Sequence, residues 1–142
     1  MALTLEERQS FLAQPHIGAL AVNNKPGRAP LNVPIWYQYT PGGELWIITG
    51  PESQKMRLLK ESGRFSIMAQ VVEPTVRYVT AEGPIDRITV MTDEMHHEMA
   101  SRYLTPPQVD KYLKSTEELG IGEQVAVYMR PEHWLSADMG AL

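Results

Sequence analysis

Short apolar runs cut by tight turns recur along this chain, and they constrain its fold more than any other feature. Ile17–Val22 is apolar over strand length, and Asn23–Gly27 closes the run with Lys-Pro-Gly. Ala29–Tyr39 follows, rich in branched and aromatic residues; Pro41–Gly43 turns the chain and Glu44–Thr49 makes a third run. Branched and aromatic side chains suit a pleated, half-buried surface, and tight turns join such runs antiparallel. Arg64–Val72, Thr75–Glu82 and Gln124–Arg130 repeat the pattern, with Ile85–Val90 continuing the sheet past a bulge at Gly83-Pro84 and Pro131–Ser136 left as a tail. Six or seven mostly antiparallel strands within 142 residues tend to close on themselves. The expected fold class is a β-barrel with added short helices, a single domain over residues 1–142.

Helix signals are few and short. Thr4 and Glu7 have the spacing of a capping box before a helix that Pro15 stops. Ser53 starts a second, ended by Gly63. Asp93–Leu104 and Gln108–Ser115 read as two more, the latter opened by Thr105 as cap and Pro106 at the first position. In that last helix Val109, Tyr112 and Leu113 share a face.

Composition removes several classes of function. With no cysteine there are no disulfides, thiolate metal sites or cysteine nucleophile. A net charge of −4 disfavours a generic polyanion binder, and Lys55–Arg57–Lys60 is too short a basic patch to track a nucleic-acid backbone. No stretch approaches the ~20 apolar residues of a membrane span. The first residues carry acids where a signal peptide is basic, so a cytoplasmic location is expected. His96 and His97 are neighbours on a helix and point about 100° apart, so they make a poor metal pair. There is no Gly-x-Ser-x-Gly elbow and no phosphate-binding glycine loop. Met91, Met95 and Met99 fall at helical spacing and read as packing.

Ile47–Arg57 is the segment that carries chemistry. A strand ends in Thr49-Gly50, and a helix begins at Ser53 with Lys55 in its first turn and Arg57 just after. Unpaired amides at a helix N-terminus, two hydroxyls and two cations suit a phosphate or similar anion. The same residues also describe a capped surface helix with solvated cations. Pro34, inside the second strand, marks an edge, a bulge or a place where a ligand approaches the backbone.

The run Pro34–Tyr37, then Gly43–Thr49, then Ser53–Lys55, then Arg57–Ser66 resembles the pyridoxamine-phosphate-oxidase-like split barrels, and within them the flavin/deazaflavin oxidoreductases. Pro74–Gly83 is similar to that family's strand ending in a small residue, Glu and Gly. The resemblance implies a homodimer with a cofactor in the groove between subunits. It implies that Lys55 neutralises the cofactor phosphate with help from Ser53, Gln54, Met56 and Arg57. Ile48, Thr49 and Gly50 then approach the phosphate or the chain attached to the ring, and Val33, Pro34, Ile35 and Trp36 lie against the ring. Tyr78 and Trp134 are the implied contacts from the second subunit. Leu58 stands where many relatives carry Asn, Lys25–Pro30 replaces an Asp-Gly-x-Pro-His hairpin, and His133 is the one candidate base after Arg130. These departures argue against pyridoxamine-phosphate oxidation itself.

The function implied is an oxidoreductase transferring a hydride from the deazaflavin coenzyme F420 to a small unsaturated organic substrate, with FMN and then FAD as alternative cofactors. No catalytic side chain is assigned, because the cofactor performs the chemistry. The rival is a non-catalytic protein that stores or carries a flavin or haem, and a third reading is a dimeric scaffold that has lost its cofactor.

Overall fold

The computed structural model describes residues 1–140. In chain order the elements are α1 (Leu5–Leu12), β1 (Gly18–Val22), β2 (Leu31–Ile35), β3 (Tyr37–Tyr39), β4 (Leu45–Thr49), α2 (Gln54–Ser62), β5 (Arg64–Val71), β6 (Arg77–Val90), α3 (Asp93–Tyr103), α4 (Pro106–Glu118), β7 (Val125–Met129) and β8 (His133–Asp138). All strand pairs are antiparallel and run in the order β2-β1-β5-β6-β7-β4-β3, with β8 also on β6. This is the split β-barrel expected from the run of short strands, with helices added.

Two strands turn the corners. β2 and β3 are one extended segment interrupted at Trp36; its first half pairs with β1 and its second with β4. β6 pairs with β5 over residues 77–84, with β8 over 77–82 and with β7 from residue 85 onward, with a bulge near Asp86. Two expectations are corrected here. The sheet continues past Gly83-Pro84 as expected, but the bulge falls between Ile85 and Arg87, because the β5 ladder holds Gly83 and Pro84 in register. Residues 133–138 are a strand rather than a tail, since the unfilled edge of β6 offers them a ladder.

Alternation builds the core. Leu20, Tyr37, Ile47, Ile67 and Val79 point inward and are fully buried while their neighbours along each strand face out; on β7 Val127 and its neighbour Ala126 are both buried. Met56 and Leu59 of α2 and Leu12 of α1 plug the same core. Where the β2–β3 ladder breaks at Trp36, α3 supplies what is missing: the Tyr103 hydroxyl accepts from the Tyr37 amide at 3.1 Å and lies 2.8 Å from the His16 carbonyl oxygen. Next to it Arg102 donates to the carbonyls of Leu12 (3.2 Å), Ala13 (2.7 Å) and Gln14 (2.6 Å), capping α1. The two side chains fix α3 against the corner strand, and α4 lies on α3. Among the described residues no helix is long and apolar enough to cross a membrane.

Gly83 marks the tightest approach at any glycine of the described residues. The Arg130–Glu132 link between β7 and β8 steps across β6 there, with the Glu132 amide donating to the Glu82 carbonyl at 2.8 Å and the Arg130 amide to the Pro84 carbonyl at 3.1 Å. A Cβ on Gly83 would overlap the Arg130 carbonyl oxygen and lie 2.7 Å from its carbon.

Candidate functional site

The loop Gly50–Ser53 and the first turn of α2 are held by one hydroxyl. Ser53 Oγ accepts from the Met56 amide at 3.1 Å, donates to the Gly50 carbonyl at 2.9 Å and lies 3.2 Å from Thr49 Oγ1. With its proton donated to Gly50, Ser53 shapes the loop rather than offering a free donor. First-turn amides have no partner inside a helix, and Ser53 takes only that of Met56, so those of Gln54 and Lys55 face outward from the helix end.

Lys55 is the cation at this end. It is half-buried, and burial pushes its pKa below the ordinary lysine value with no carboxylate to offset it. Among the described residues the only cations in ion pairs are Arg64, Arg77, Arg87 and Arg130, so no lysine is paired; Lys55 is set apart because the other lysines are exposed and it is not. Placing a charge partly out of water without a partner is unfavourable, so the ammonium sits where an anion would be welcome. Thr49 is buried beside it, and Arg57 and Gln54 are exposed.

The other expected contacts divide between faces. Val33 and Ile35 point to the core and Pro34 and Trp36 point out, with Pro34 opposite Ala19 on β2, a strand bonded on one edge only. Ile48 faces out on β4, whereas the Met56 side chain fills the core and offers a ligand only its backbone. Tyr78 lies on the outer face of β6, opposite Gln70 of β5 and Ala137 of β8. Trp134 faces the other way. It sits opposite Ala81 and packs on the core, edge to Tyr39 (centroids 6.1 Å) and under the Arg8 guanidinium at 5.4 Å. Residues 48–57 and Trp36 are thus gathered on one side, while Tyr78 and Trp134 belong to the β6–β8 side.

A cleft of about 680 Å³, not foreseen from the sequence, adjoins the first group. Trp36 and Ile48 form its floor on the outer face of the sheet; α3, α4 and residues 120–124 form its walls. Trp36 stacks on Tyr103 (4.8 Å) and leans on Tyr112 (5.5 Å), and His96 meets Tyr112 edge-on at 5.5 Å. Gln124 connects the cleft to the α2 loop, since its Nε2 lies 3.8 Å from where a Cβ on Gly50 would sit. Burial lowers the pKa of His96 despite nearby Asp93 and raises that of Tyr112. Shared faces on α3 and α4 were legible as packing stripes, but nothing in the sequence indicated that they leave a gap over Trp36. Among the described residues no cluster of His, Asp and Glu could hold a metal ion.

An antiparallel split barrel with a cationic helix end at its side is the arrangement that these elements build. The chain belongs to the pyridoxamine 5'-phosphate oxidase family, whose sequence profile matches residues 4–136. Its structure is similar to that of an F420 reductase, with 22% identity and a TM-score of 0.68 over 89% of this chain and 94% of that one. A conserved hypothetical protein from Mycobacterium tuberculosis is 24% identical, with a TM-score of 0.69 over 97% and 86% of the two chains. An FAD-binding protein from Mesorhizobium loti is 18% identical, with a TM-score of 0.62 over 97% and 96%. No curated protein matches this chain. At these identities the structural likenesses establish the fold.

Proposed function

We propose that this chain is an oxidoreductase that binds coenzyme F420 in the groove of a homodimer and delivers a hydride to a small unsaturated organic substrate. The observation that carries the reading is Lys55, half-buried and without an ion-pair partner among the described residues, at the first turn of α2. In the reduced state such a coenzyme supplies the hydride. The protein's part is to hold and shield. Lys55 and the Gln54 and Lys55 amides receive the phosphate, with Arg57 close by on the same helix. Thr49 and Gly50 leave the loop open, since a Cβ on Gly50 would meet only Gln124. Pro34, Trp36 and the backbone of Val33–Ile35 offer an edge against which a flat ring can lie. The F420 reductase and the FAD-binding protein of the same fold support a flavin-type cofactor. Parallel fluorescence titrations with coenzyme F420, FMN and FAD test the choice. Tightest binding of F420 is expected. Binding of FMN or FAD alone would move the assignment to a flavin enzyme or store, and no binding would overturn it.

The homodimer rests on the outer face of the β2-β1-β5-β6-β8 sheet. Ile17, Ala19, Pro34, Met68 and Leu135 lie on it, with Ile17 54% and Leu135 63% exposed. Contiguous apolar surface of this kind marks an association face. Light scattering should give twice the chain's 16.0 kDa, and Leu135→Lys should shift it towards monomer. A monomeric native protein at micromolar concentration would sink the dimer.

A further inference from the structure

The cleft roofed by α3 and α4 differs in chemistry from the cationic loop beside it. Its apolar and aromatic surface comes from Trp36, Ile48, Met91, Met99 and Tyr112. Among the described residues no lysine or arginine lines it, while the acidic residues Asp93 and Glu117 do, both solvent-exposed. His96 lies near Asp93 and edge-on to the Tyr112 ring, and burial lowers its pKa, favouring the neutral form. About 680 Å³ is ample for a ligand of two or three fused rings. Aromatic walls bind a flat apolar body by stacking, and a positive end gains from both the ring faces and the carboxylates. An anion would meet two negative charges and no countercharge.

We propose that this cleft is the substrate pocket and that its ligand is a planar aromatic compound, neutral or cationic, rather than a carboxylate or phosphate ester. Calling the ligand a substrate rests on the function proposed above, because the cleft opens over Trp36 and Ile48, where the coenzyme is assigned. The ligand's chemical class rests on the cleft alone.

The test therefore uses the protein without coenzyme. Three naphthalenes of matched shape, 2-naphthylmethylammonium, 2-naphthylmethanol and 2-naphthoate, are titrated and followed by NMR. The ammonium and the alcohol should bind, and the naphthoate should bind roughly tenfold more weakly or not at all. Glu117 is exposed, so Glu117→Lys should leave the fold intact. It should weaken the ammonium by about tenfold and leave the alcohol within about twofold. Tyr112→Ala should weaken both ligands. Naphthoate binding as tightly as the ammonium, no binding by any of the three, or indifference to Glu117→Lys would overturn the proposal. Naphthalene selectivity without coenzyme binding would instead leave the ligand class standing and defeat the coenzyme assignment.

Discussion

Lys55→Ala is expected to lower affinity for the phosphate-bearing coenzyme by about ten- to a hundredfold, the equivalent of roughly 1.5–3 kcal/mol for a hydrogen bond to a charged group. The helix itself should survive. Its N-terminal bonds run through Ser53, and its buried contacts through Met56, Leu58 and Leu59. The same lysine gives binding a pH dependence whose sign can be derived. In the free protein burial lowers its pKa, favouring loss of the proton. A bound phosphate favours the charged form and raises the pKa again. Binding is therefore strongest at pH values where Lys55 is protonated in the free protein, and weakens as pH rises through that lowered value. Lys55→Arg should keep much of the affinity and lose this slope, because a guanidinium stays charged. Titrations of the three proteins between neutral and alkaline pH, with unfolding temperatures as control, decide the matter. Equal affinity of Lys55→Ala and the native protein would remove Lys55 from the site.

Gly83→Ala should be among the most destabilising single substitutions in the chain. The added carbon meets backbone, the Arg130 carbonyl, rather than a side chain that can swing away. Arg130 and Glu132 are both bonded across that point to β6, so relief requires the β7–β8 link to lift and its ladder to shift. Overpacking commonly costs about 1–3 kcal/mol; backbone against backbone belongs at about 3 kcal/mol or above, against a total of roughly 5–15 kcal/mol for a domain. The midpoint of thermal unfolding should fall by about 10 °C or more. Gly50→Ala is the comparison, because its new carbon has only the Gln124 amide at 3.8 Å. That protein should melt within a few degrees of the native one. If Gly83→Ala melts with it, the close crossing is not a constraint on stability.

Much of the fold was legible because its signals are local. Thr4 with Glu7, Ser53 with Gly63, and the Pro41–Gly43 turn each act within a few residues, and the helices and strands lie close to where those residues put them. Pro131–Ser136 was harder. Nothing in its own composition demands a strand, and it becomes one because residues 77–82 of β6 present an unfilled edge. The bulge expected at Gly83-Pro84 falls instead between Ile85 and Arg87, because pairing with β5 holds those two residues in register despite their weak strand preference.

The site divides along the same line. The sequence alone determined the cationic helix start, since Thr49, Gly50, Ser53 and Lys55 are near neighbours in the chain and a capped helix must follow. Only the tertiary structure decided that Lys55 is half-buried without an ion-pair partner among the described residues, that Trp134 turns to the core while Tyr78 faces out, and that Trp36, His96 and Tyr112 enclose a cleft. Helix caps and turns are set by bonds spanning three or four residues. The side of a β8 residue is set by register with β6, and the cleft by how α3 and α4 settle over β4. Those are contacts between segments far apart in the chain, whose meeting depends on the closure of the whole barrel.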